Sequence, residues 1–156
     1  MGIKERMADE VGVSAEGVLI TNGKLKIQKQ MIAAVAATAT GDAGTALTAS
    51  TTTYNVLARM PKTGTLKYAT VRANIIGVAG ATFDILKVAS GTAIASGTAI
   101  VTQIAGTAFT AFTDVKLTVN TDGTQNITAG SLIVAKLVTG GGETLAPPFI
   151  DLEIWL

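Results

Sequence analysis

Thr82-Phe83-Asp84-Ile85-Leu86-Lys87-Val88 is the stretch on which the reading of the fold turns. Phe83, Ile85 and Lys87 alternate with Asp84, Leu86 and Val88, so both sides of a period-two segment are partly apolar. Such a segment reads as a β-strand covered on both faces. The run Ser131-Leu132-Ile133-Val134-Ala135-Lys136-Leu137 has the same strand character.

Working outward, Tyr54-Asn55-Val56-Leu57-Ala58-Arg59-Met60 is a strand stopped by Pro61, and Lys62-Thr63-Gly64 is turn chemistry. Residues 66–76 place Ala69, Val71, Ala73 and Ile75 on one face and Tyr68, Thr70, Arg72 and Asn74 on the other. Gly77 and Gly80 bracket the turn that leads into Thr82. Gly91-Thr92-Ala93-Ile94 and Gly97-Thr98-Ala99-Ile100 repeat at a spacing of six, but two copies are too few to bury a stacked core, and they read as a hairpin. Residues 113–119 turn Val115, Leu117 and Val119 inward, and Asn120-Thr121-Asp122-Gly123 supplies a turn of type I′, where Asp-Gly tolerates positive φ. A last strand over 149–156 follows Gly140-Gly141-Gly142 and Pro147-Pro148. Seven or eight short strands with turn signals between them predict an all-β fold, an antiparallel β-sandwich of the jelly-roll kind.

The N-terminal part differs in composition. Residues 1–30 carry nine of the 23 charged side chains and read as an extended arm, with a short helix over 3–11 and a strand over 24–28 that puts Leu25 and Ile27 on one face. Residues 31–53 read as an extended connection or first strand. Met31, Ala33 and Val35 continue the alternation, alanine favours helix, and the small residues of 38–53 favour a loop. Residues 54–156 form the sandwich.

Composition limits the chemistry. There is no histidine and no cysteine, which removes imidazole bases, thiol nucleophiles and Cys-based zinc sites. A net charge of +1 offers no field to draw in nucleic acid, no apolar run is long enough to span a bilayer as a helix, and residues 1–6 do not read as a secretory signal. No cofactor signature is present. Carboxylates are the remaining candidates for catalysis: Asp84, Asp114, Asp122, Asp151 and Glu153. Asp151 and Glu153 share a face of the last strand, but alternation explains them as the outer side, with Trp155, of a strand whose inner side is Ile150, Leu152, Ile154 and Leu156. Asn120, Asp122 and Gln125 lack the acid spacing of a calcium loop and read as a hairpin turn. Carbohydrate binding would need exposed aromatics, of which the chain has few, and Phe109 and Phe112 read as core or interface anchors. Lys24, Lys26 and Lys29 make a small basic face.

The succession Gly64-Thr65-Leu66 to Val71-Arg72-Ala73, then Thr82 to Lys87 with Gly91-Thr92, then Asp114-Val115-Lys116-Leu117 and Ile127-Thr128-Ala129-Gly130-Ser131-Leu132-Ile133, resembles small jelly-roll structural proteins of tailed bacteriophages. These are capsid decoration (cement) and head-fibre proteins, and the resemblance covers residues 54–156. It implies a virion surface protein without catalytic residues, self-associating as a homotrimer and bound to the major capsid protein. On that reading the arm makes the docking contacts, with Ile3, Arg6, Val11, Lys24, Lys26 and Lys29 as the expected partner-binding residues. The competing expectation is a host-recognition or carbohydrate-binding module of a tail or fibre.

Overall fold

The computed structural model describes residues 12–14, 18–30, 52–72, 80–109, 113–139 and 148–156. The strands in chain order begin with β1 (Gly12–Ser14), β2 (Val18–Thr21), β3 (Lys24–Gln30), β4 (Thr52–Arg59), β5 (Gly64–Arg72) and β6 (Thr82–Val88). They continue with β7 (Thr98–Ala99), β8 (Ile104–Ala105), β9 (Asp114–Lys116), β10 (Asn126–Ile127), β11 (Leu132–Val138) and β12 (Phe149–Trp155). Two antiparallel sheets form. One runs β1-β2-β3-β12-β5-β10 with β9 also on β5, and the other runs β4-β11-β6-β7 with β8 also on β6. The protein is an all-β sandwich, and from β3 to β6 successive strands alternate between its two sheets.

The core follows from the pleat. Leu25 and Ile27 of β3, Ile150, Leu152 and Ile154 of β12, and Ala69 and Val71 of β5 all point to the second sheet. Phe83 and Ile85 of β6 and Ile133, Ala135 and Leu137 of β11 meet them. Phe83 packs edge-on against Phe109, with ring centroids 6.3 Å apart at 89°. The pairing of β4 with β11 slips by one residue between Ile133 and Val134, which lets Leu57 and Ala58, neighbours in sequence, both join the core.

The strand that decided the reading is covered on both sides. On its other face Leu86 and Val88 are buried with Tyr54 and Val134, and Ile94 and Ala99 pack against them. Asp84 lies on that same outer face, opposite Lys136 in the pairing, only 6% exposed. Burial pushes its carboxyl above the ordinary carboxylate value, against a backbone hydrogen bond at Ile85 and the Lys136 charge. Its Oδ1 has no hydrogen-bond partner among the described residues.

Several expectations need correction. Residues 24–30 are not part of a detachable arm: β3 is an interior strand, bonded to β2 and to β12, and Leu25 and Ile27 are fully buried. Lys29 does not share a face with Lys24 and Lys26. The period of two sets it with Leu25 and Ile27, and its Nζ crosses to donate to the Val56 carbonyl of the other sheet at 3.1 Å. β4 begins at Thr52, inside the expected loop. The two Gly-Thr-Ala-Ile copies do not pair with each other. The first ends in a 3₁₀ turn (Ile94–Ser96), and Thr98–Ala99 of the second returns to pair with Leu86 and Lys87. The turn at 120–123 is not type I′, because only Gly123 has positive φ there. Asp122 Oδ1 instead accepts from the Thr124 N–H (3.0 Å) and hydroxyl (2.5 Å). The turn with that chemistry is Asn22-Gly23, with φ of 51° and 71°, joining β2 to β3. Ile3, Arg6, Val11, the expected helix over 3–11, the extended connection over 31–51 and Phe112 lie outside the described residues.

Candidate functional site

The outer face of the larger sheet carries most of the chemistry. β12 projects Phe149, Asp151, Glu153 and Trp155 outward by simple alternation, since Ile150, Leu152 and Ile154 take the core. β3 adds Lys24, Lys26 and Gln28 on one side of it. β5 adds Tyr68, Thr70 and Arg72 on the other, and β9 adds Asp114 and Lys116 beyond β5.

One irregularity gives the face its shape. Glu153 pairs with Tyr68 but Ile154 pairs with Leu66, so β5 carries one residue more than β12 at this point. This bulge turns Lys67 and Tyr68, adjacent in sequence, both to solvent. Tyr68, Phe149 and Trp155 are the large apolar side chains left exposed among the described residues, at 41%, 43% and 49%, and all three stand on this face.

Trp155 is held from both flanking strands. Lys24 Nζ lies 5.1 Å and Lys67 Nζ 5.5 Å from its ring centroid. Its indole Nε1 donates to Glu153 Oε1 at 2.8 Å, and the same oxygen pairs with Lys24 Nζ at 3.2 Å, while Oε2 sits 4.0 Å from Lys26 Nζ. The indole hydrogen bond first, and Lys24 after it, hold the Glu153 carboxyl below its ordinary value. At the far side Arg72 grips Asp114 through two bonds of 2.7 Å, which lower the Asp114 pKa. Gln28 Nε2 donates to Asp151 Oδ2 at 3.3 Å.

Among the described residues, five cations therefore stand here against three carboxylates. Lys24, Lys26 and Arg72 are matched by Glu153 and Asp114. Lys67 and Lys116 are not: among the described residues they make no ion pair, and Lys116 Nζ lies 5.9 Å from the Tyr68 ring centroid. The two ammonium-bearing side chains and Tyr68 line a cleft of about 440 Å³ completed by Leu117, Thr118 and Val119.

The expected carboxylates are not gathered into a catalytic group. Asp84 is buried on the opposite sheet, Asp122 is spent in its turn, Asp114 is clamped by Arg72, and Asp151 and Glu153 each engage β3. No cluster of three potential metal ligands occurs among the described residues, and none of their helices is long and apolar enough to cross a membrane. Of the expected partner-binding residues, Lys24 and Lys26 reach this face and Lys29 does not. Sequence reading missed Lys67, Tyr68 and Lys116. The alternation put Tyr68 on an outer face, but nothing local marks the bulge that sets Lys67 beside it. No family model matches the chain, and comparison with curated proteins and with solved structures gives no match either.

Proposed function

We propose that the protein is a virion structural protein, a capsid decoration β-sandwich that attaches to a phage head without performing catalysis. The observation that carries this reading is the strand winding: β3, β12, β5 and β9 stack on β4, β11, β6 and β7, with β3 to β6 alternating between sheets. That order suits a jelly roll, an architecture frequent in viral capsid domains. The exposed face adds support, since Trp, Tyr and Arg are the residues that most often anchor protein interfaces. In this reading the chain is a homotrimer bound to the major capsid protein, with Ile3, Arg6 and Val11 contributing from the N-terminal segment.

Co-sedimentation with purified heads of the encoding virus tests it. Saturable binding at a fixed ratio to the capsid protein is expected, with light scattering giving three times the 15.8 kDa chain mass. Deleting residues 1–11 spares every described strand and should weaken binding; heads that take up no protein would refute the decoration role. A second reading, a host-recognition or carbohydrate-binding module of a tail or fibre, is favoured by the cleft beside Tyr68.

A further inference from the structure

We infer that the cleft between β5 and the segment following β9 binds an acidic saccharide, with Lys67 and Lys116 taking its carboxylate and Tyr68 its ring. This rests on the second, recognition reading and not on attachment to heads.

Three observations converge. The cleft, about 440 Å³ and open to solvent, has room for a sugar unit. Among the described residues its two lysines have no carboxylate partner, whereas Lys24, Lys26 and Arg72 on the same sheet face are each matched. Among the described residues the unmatched positive charge of this face thus lines the cleft, where an anion would complete the pairing. In the same cleft Tyr68 offers a half-exposed ring and a phenolic hydroxyl, and Thr118 offers a second hydroxyl. An aromatic face takes the C–H side of a pyranose, and hydroxyls exchange hydrogen bonds with its own.

The bulge is the device that builds the site. Without the extra residue on β5, alternation would send either Lys67 or Tyr68 inward, and cation and ring could not share the cleft. Trp155 extends the platform, since Lys67 bridges from the cleft toward its ring. A saccharide longer than one unit would run from Tyr68 toward Trp155.

The full chain is titrated with oligogalacturonate, with its methyl-esterified neutral form and with oligoglutamate, following the fluorescence of the single tryptophan and the heat of binding. Oligogalacturonate is expected to bind, and the neutral form about tenfold or more weaker, the scale of losing one charge-assisted contact. Lys67→Gln and Lys116→Gln should each weaken binding to a similar degree and Tyr68→Ala should abolish it, while Lys62→Gln, which removes one exposed charge from the β4–β5 turn, leaves it unchanged. Unaltered thermal melting of Lys67→Gln and Lys116→Gln keeps loss of fold apart from loss of contact. Equal affinity for the esterified oligomer, equal affinity for oligoglutamate, or no binding of oligogalacturonate would each overturn the inference. Adsorption of labelled protein to host cells reads the recognition role separately: adsorption that survives Lys67→Gln and Lys116→Gln leaves that role standing and removes the saccharide site.

Discussion

Glu153 and Trp155, two residues apart on β12, are joined by the 2.8 Å bond from the indole Nε1 to Oε1, and Lys24 from β3 engages both members of the pair. The carboxylate orients the ring, and the lysine sits against ring and carboxylate together. An exposed tryptophan is thereby tied to a carboxylate and a lysine at the sheet surface.

This linkage has a pH signature. Because Glu153 is held below its ordinary value, its contribution to stability is present above the unfolded-state pKa and is lost as pH falls through the lower folded value. Acid titration of the tryptophan emission should show a midpoint below that of an ordinary glutamate. Trp155→Phe, followed by NMR of the Glu153 carboxyl, should move its midpoint upward, and Lys24→Gln should move it in the same direction by less.

Asp84 gives the opposite sign. Its raised value means that ionisation costs stability in the folded state, a cost present at neutral pH and relieved as pH falls through the folded pKa toward the unfolded one. Asp84→Asn removes the ionisable group and should therefore raise urea stability at pH 7. The gain should vanish below the ordinary aspartate range. A variant less stable than wild type at pH 7 would show that Lys136 needs the charge.

Leu25 tests whether the N-terminal strand belongs to the folded body. It is fully buried in the shared core, so Leu25→Ala should cost about 2–5 kcal/mol in denaturant unfolding, a core-sized loss that a separable arm could not produce. Truncation of residues 1–30 should abolish cooperative unfolding, because it strips β12 of its partner on one side.

Gly64 lies where β5 starts beside the end of β12. A Cβ there would sit 2.7 Å from the Trp155 carbonyl oxygen and 2.9 Å from Ile154 Cγ2, so backbone as well as side chain would have to shift. Gly64→Ala should cost about 1–3 kcal/mol by thermal or chemical melting. Because the displaced backbone is that of Trp155, the tryptophan emission should change too.

Much of the fold was legible in the residues. Period-two alternation is a local property of an extended chain, so the inward set of β3 and β12 could be read without knowing any neighbour, whereas β6, apolar on both faces, did not show which face is the shared core. Alternation also sets Lys29 on the inner face with Leu25 and Ile27, and the Asn22-Gly23 pair is itself a local type I′ hairpin signal. The candidate site was less visible. Its residues come from β3, β5, β9 and β12, and the register that aligns them depends on hydrogen bonds between segments far apart in sequence.

The sequence by itself determined an all-β chain without imidazole or thiol chemistry and with apolar residues alternating for burial, because composition and the pleat are set residue by residue. Only the tertiary structure decided that β3 lies beside the last strand, that a bulge turns Lys67 and Tyr68 out together, and that Lys67 and Lys116, without an ion-pair partner among the described residues, line one cleft with Tyr68. Those follow from strand pairing, and pairing is settled by the packing of the whole sandwich, where a shift of one residue would exchange core for surface.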